Sequence, residues 1–144
     1  MASGRAPALY TREVLAMAVE LANHPFRPDA TAHGSARSRS CGSTIELSSQ
    51  SPDALHDVGM KVSACAIGQA SAAIFASESA GMDAPAISDT IDALQGWLED
   101  REASSILPRL ELLEPARQHP GRHEAILLPW RAALDALSND RTGR

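Results

Sequence analysis

Val62-Ser63-Ala64-Cys65-Ala66-Ile67-Gly68-Gln69-Ala70-Ser71 is the stretch in which the chain exchanges one hydrophobic period for another. Before it, Val58, Met60 and Val62 alternate with polar or small residues, the two-residue period of a half-buried strand. After it, Ala66, Ile67, Ala70, Ala73, Ile74 and Ala76 make a nearly continuous small apolar surface, which predicts a buried helix ending at Gly81. Cys65 stands at the junction. A thiol at a helix N-terminus meets unpaired backbone N–H groups and the positive end of the helix dipole, and both favour thiolate.

Upstream, Ile45 and Leu47 alternate in the same way, and Ser49-Gln50-Ser51-Pro52-Asp53 separates them from the Val58 strand. The pair reads as a hairpin, which needs a further strand or a helix layer to be stable. Residues 25–40 read as a loop able to hold a short strand. Tyr10, Val14, Met17, Ala18 and Leu21 follow helical spacing up to Asn23-His24-Pro25, where proline stops the pattern. Downstream, Ser88-Asp89 precede a helix carrying Ile91, Leu94, Trp97 and Leu98. Past the charged break Glu99-Asp100-Arg101-Glu102, the segment from Ile106 to Leu113 predicts one or two short helical turns after Pro108. A last helix is expected from about Ala125 to Leu137, with Pro129 in its first turn or bending it. The fold class is therefore α+β: a small antiparallel sheet of about three strands packed against several helices. The domain is expected to span residues 8–138, with flexible ends at 1–7 and 139–144.

With 144 residues, one modest core is expected. Apolar residues are 44% of the chain but aromatics only 3%, so that core is built from Ala, Leu, Ile, Val and Met, without an aromatic-lined ligand pocket. Thirteen basic against eighteen acidic residues give a net charge of −5, which argues against nucleic acid and anionic membrane as partners and for protein partners. Two cysteines cannot build a disulfide framework, so reduced thiols are expected. The start Met1-Ala2-Ser3-Gly4-Arg5 lacks the apolar run of a signal peptide, and no stretch is long enough to span a bilayer, so a cytoplasmic protein is expected.

The second thiol, Cys41, lies in Ser40-Cys41-Gly42-Ser43. Gly42 permits a tight turn that presents the sulfur outward. On general grounds each cysteine alone reads as a small core residue, since free cysteine is among the most buried types. Trp97 and Trp130 read as core anchors. His24, His33, His56 and His119 show no ligand spacing and read as loop or surface residues.

Several blocks, in order along the chain, resemble the NifU N-terminal family, the IscU and SufU type of iron–sulfur cluster assembly proteins. Gly34-Ser35-Ala36 leading to Ser40-Cys41-Gly42 is similar to the family's glycine-x-alanine loop and its Cys-Gly-Asp turn. The Val62–Ser71 stretch is similar to its strand-to-helix cysteine block. Leu113 through Arg117, Pro120 and Arg122 to Ala125-Ile126-Leu127-Leu128-Pro129-Trp130 resembles the SufU-like third block, Pro-x-Arg-x-x-Cys-x-x-Leu-x-Trp. The 60 residues from Cys65 to Ala125 fit the SufU branch. Arg122 matches a family position that could orient a carboxylate, though an arginine before a helix is equally a surface residue.

The resemblance implies three cysteines and an aspartate as metal ligands, but Ser43 stands at the aspartate position and Ala125 at the third cysteine. Cys41 and Cys65 are what carries over as metal or sulfur residues. Zinc takes about four ligands and a [2Fe–2S] cluster about four cysteine-like ones, so the family's own positions do not close either site here. His123 and Glu124 could supply further ligands, a homodimer could share its cysteines, or the thiols alone could accept persulfide sulfur. The expected function is a scaffold or sulfur acceptor for a cysteine desulfurase, a carrier rather than an enzyme, with Cys65 as the acceptor and a transient iron–sulfur cluster, zinc or neither as the bound group. Its partners would be the desulfurase and other cluster-assembly proteins. The rival readings are a zinc-dependent sulfurtransferase of the SufU kind and a protein-interaction module without chemistry on the same fold.

Overall fold

The computed structural model describes residues 11–100 and 106–142 of the chain. Of the expected flexible ends, residues 1–7, 143 and 144 lie outside the described residues; Tyr10 does as well. Helix α1 (Arg12–Glu20) starts where the Thr11 hydroxyl accepts the Val14 N–H, buries Val14 and Met17, and runs into a 3₁₀ turn, Leu21–Asn23. Strands β1 (Ala32–Arg37), β2 (Thr44–Ser49) and β3 (Gly59–Ser63) follow in sequence and pair antiparallel in that order. The sheet therefore has the expected three strands, and the third comes from the 25–40 segment. The chain between β2 and β3 is longer than a hairpin turn: it runs through residues 50–58, tied by Gln50 N–H to His56 O at 2.8 Å.

Helix α2 (Ala66–Glu78) follows β3 directly, and Ile67, Gly68 and Ala70 through Phe75 are all buried. Small side chains let it lie between α1 and α4 at once. Helix α3 (Ala84–Glu99) begins earlier than the sequence reading placed it. Asp83 caps it by accepting the Ala86 N–H at 3.0 Å, and Pro85 sits in its first turn, so Ser88 and Asp89 are helical residues rather than its boundary. A 3₁₀ segment, Leu110–Gln118, replaces the expected one or two turns. Pro115 lies within it, and a short-pitched segment tolerates what an α-helix would not.

Helix α4 (His123–Thr142) carries Pro129 at its seventh position, past the first turn. Proline offers no N–H to the carbonyl of Ala125. One residue on, Ser71 of α2 donates its hydroxyl to Ile126 O at 2.6 Å, a buried bond that supports the helix where its own ladder is interrupted. Trp130 meets Phe75 edge-on with ring centroids 5.3 Å apart, and both are fully buried. Trp97 is buried as expected and carries the Arg117 guanidinium 4.5 Å above its ring.

The packing of α4 on β1 fixes the geometry of the site. A methyl group on Gly34 would run into the α4 backbone at Ala132 and Ala136, so the missing side chain is what lets helix and strand meet this closely. Helix α4 is thereby held with its first turn beside the loop that follows β1.

Candidate functional site

Ser38, the residue after β1, is the hub of that loop. Its N–H donates to Ser43 O at 2.8 Å, and its carbonyl accepts Gly42 N–H at 3.0 Å, which closes residues 38–43 into a compact turn. Gly42 has φ +73°, a conformation that a side chain disfavours, and it turns the chain so that Cys41 is exposed. The sulfur is flanked by two hydroxyls, Ser38 Oγ at 3.2 Å and Ser43 Oγ at 3.0 Å. The Ser38 side chain, then the Ser43 side chain, hold the Cys41 thiol below its usual range; partial burial opposes them, and the Ser43 backbone and the Arg122 charge add to them. Ser43, at the position of the expected aspartate, is thus a hydroxyl partner of the sulfur, buried to 5% exposure.

The sheet register brings the second thiol to the same end of the sheet. Thr44 pairs with Ser63, so the turn preceding β2 and the residues following β3 lie at one end of the sheet. Cys65, two residues past Ser63, is the N-cap of α2, half-buried and packed against the core. Its carbonyl accepts Gln69 N–H at 2.9 Å, and its side chain makes no capping hydrogen bond. Ala125 is fully buried, and its Cβ lies 3.5 Å from where a Cβ on Gly68, in the first turn of α2, would sit. The position of the absent third cysteine therefore packs against the helix turn that Cys65 caps.

His123 and Glu124 occupy the first turn of α4, each with a partner of its own. Nε2 of His123 lies 2.9 Å from Arg117 O, so that nitrogen carries the proton and donates it to the carbonyl. Glu124 Oε1 accepts the Ser38 hydroxyl at 2.9 Å, Arg39 N–H at 2.9 Å and Ser40 N–H at 3.3 Å. The Ser38 bond first, then the loop amides and Arg131, hold this carboxyl below its ordinary range, against a small opposing effect of burial. Among the described residues, no three of His, Cys, Asp and Glu stand together as a metal-binding group. The donors of one chain, two thiols with a hydroxyl and a methyl at the other two positions, do not fit zinc.

Of the other singled-out residues, His33, His56 and His119 are exposed and His24 is half-buried, none of them beside a thiol partner. Arg122 is half-buried close enough for its charge to act on Cys41. Sequence reasoning overlooked Ser38, because a serine between two arginines carries no signal until β1 and α4 are packed. Arg117, which the sequence singles out only as part of the third block, is buried to 6% exposure and paired with Glu114 at 2.8 Å. A shallow cavity of about 350 Å³, lined by Phe26, His33, Gly34, Ser35, Glu46 and Asp135, contains neither cysteine. Cys41 lies instead exposed at the surface, and Cys65 is half-buried at the same end of the sheet.

Together these features define a three-stranded α+β thiol protein with two cysteines at one sheet end. Its fold is that of the NifU N-terminal and SufU proteins. A NifU-like N-terminal protein from Brucella abortus superposes with a TM-score of 0.78 at 24% identity, covering 94% of this chain and 96% of that one. A putative iron–sulfur cluster assembly scaffold protein for the SUF system from Fervidobacterium islandicum superposes with a TM-score of 0.71 at 20% identity, covering 90% and 96%. No family model matches the chain, and no curated protein matches it. No described helix is long and apolar enough to cross a membrane.

Proposed function

We propose that this protein is a sulfur acceptor in iron–sulfur cluster assembly, in which Cys41 receives sulfur from the persulfide of a cysteine desulfurase. The observation that carries the reading is the setting of Cys41: an exposed sulfur held between two hydroxyls, at the end of the sheet that also carries Cys65, on a fold shared with assembly scaffolds. The Cys41 thiolate attacks the outer sulfur of the donor persulfide. A Cys41 S–S bond forms, the donor S–S bond breaks, and the donor cysteine leaves as thiolate, so one sulfur atom moves without net oxidation. The Ser43 hydroxyl, 3.0 Å from the sulfur, donates to the anionic form before attack, while Ser38 holds the Cys41 backbone N–H.

Cys41 takes precedence over Cys65 because it is exposed, whereas Cys65 is half-buried against the core. Cys65 is the second thiol of the site, the N-cap residue of α2. An iron–sulfur cluster, if assembled, is cargo and takes its remaining ligands from a second subunit or a client. No step runs through zinc.

The reading is tested by incubating the protein with cysteine and a cysteine desulfurase and locating added sulfur by peptide mass spectrometry. Wild type and Cys65→Ser should carry it on Cys41, and Cys41→Ser should carry little or none. Full loading of Cys41→Ser would reject Cys41 as the receiving residue. Binding of the desulfurase without sulfur on any variant would favour the interaction-module reading.

A further inference from the structure

We infer that Glu124 is the positioning residue of Cys41, an anchor that α4 extends to the thiol loop across the 82 residues that separate the two in sequence. This deepens the reading of Cys41 as the receiving thiol and rests on it.

The loop of residues 38–43 closes on itself at its base, but its tip carries the thiol out to solvent. Among the described residues, the side-chain hydrogen bonds that tie residues 38–40 to α4 converge on one atom, Glu124 Oε1. Ser40 Oγ adds a longer contact to the same atom at 3.5 Å, and another to Gly121 O at 3.3 Å. Two backbone N–H groups and a hydroxyl on one carboxylate oxygen are charge-assisted bonds, stronger than their neutral counterparts.

The hydrogen-bond inventory of Ser38 shows how the anchor reaches the sulfur. A serine hydroxyl has one proton to give and two lone pairs to receive. Glu124 takes the proton at 2.9 Å. Ser38 Oγ is thereby oriented to accept Cys41 N–H at 3.3 Å, so one carboxylate fixes the backbone that presents the sulfur to solvent, and the Ser43 hydroxyl is left to donate to the thiolate. Remove the carboxylate and Ser38 loses the partner that sets its rotamer, while the Arg39 and Ser40 amides lose theirs.

Glu124 can act this way because α4 is closely packed: its backbone lies against Gly34 of β1, and Ser71 bonds it at Ile126. The role also differs from the ligand role considered from sequence, since the oxygen facing the loop is committed to three donors. Two substitutions separate an anchoring oxygen from other effects. Glu124→Gln keeps an oxygen that accepts the same three donors; Glu124→Ala keeps none.

The test is iodoacetamide labelling at a fixed neutral pH, with the rate at each cysteine resolved by peptide mass spectrometry and Cys65 as the internal reference. Glu124→Ala should slow labelling of Cys41 about tenfold, the loss of roughly one charge-assisted bond, with Cys65 within about twofold of wild type. Glu124→Gln should recover Cys41 to within about threefold of wild type. An unchanged Cys41 rate in Glu124→Ala would overturn the inference. So would a Glu124→Gln variant as slow as Glu124→Ala, or a matching change at Cys65, which would mark a general disturbance of the fold. Labelling needs no sulfur donor, so a wild-type protein that takes no sulfur from a desulfurase sinks the proposed function and leaves this result standing.

Discussion

A cysteine becomes a useful nucleophile when its surroundings favour the anion, and beside Cys41 the Ser43 hydroxyl stands at the position where the sequence resemblance implies an aspartate. The ordinary value for such a thiol is 9.0, and the two serines place Cys41 below it. Its thiolate fraction at neutral pH should exceed that of an unperturbed cysteine, and alkylation of Cys41 against pH should show a midpoint below 9.0. Ser43→Ala should move that midpoint upward, because its hydroxyl is the one free to donate to the sulfur; a midpoint that does not move would contradict the assignment. The sign also fixes the effect on stability. A lowered folded value stabilises the folded chain above the unfolded value of 9.0 and is lost as pH falls through the folded value, so this thiol adds nothing to stability in acid.

Among the elements, β1 and α4 matter most, since they bring Ser38 and Glu124 together. Gly34→Ala places a methyl against the α4 backbone and should cost about 1–3 kcal/mol in denaturant unfolding. It should also slow Cys41 labelling, and a variant as stable as wild type would contradict the close approach. The period change at Cys65 made β3 and α2 legible in the sequence, because a two-residue alternation and a small apolar run differ sharply. Helix α3 was misplaced at its start because Asp83 and Pro85, a cap and a first-turn proline, were passed over for Ser88-Asp89. β1 was read only as a loop that could hold a strand: His33, Gly34 and Ser35 show little apolar alternation, and α4 buries Ala32 and Gly34 only after folding. Both thiols were legible, but the partners of Glu124 were not, since they lie 84 to 86 positions away in the chain.

For the molecule as a whole, the shared fold and the changed site separate two questions that the sequence runs together. The core is complete: Phe75, Trp130 and Trp97 are buried, and Phe75→Ala should destabilise the protein by about 3–5 kcal/mol, read as a lower denaturation midpoint. The site, by contrast, lacks two metal donors that its family resemblance implies. If Ser43 and Ala125 occupy the positions of those donors, the double variant Ser43→Asp, Ala125→Cys should bind zinc at about one equivalent, by four-ligand coordination with Cys41 and Cys65. Failure of a folded double variant to bind zinc would contradict that placement. The wild-type chain keeps two thiols at one end of the sheet, Cys41 exposed beside two serine hydroxyls and Cys65 half-buried.

The most direct measurement is a single-turnover transfer. A desulfurase carrying one persulfide, freed of cysteine, is mixed with the wild-type protein, and sulfur is followed on both partners by rapid quench and mass spectrometry. The account predicts that sulfur leaves the desulfurase and appears first on Cys41, with no first arrival on Cys65. Sulfur that stays on the desulfurase, or that reaches Cys65 without passing through Cys41, would contradict it.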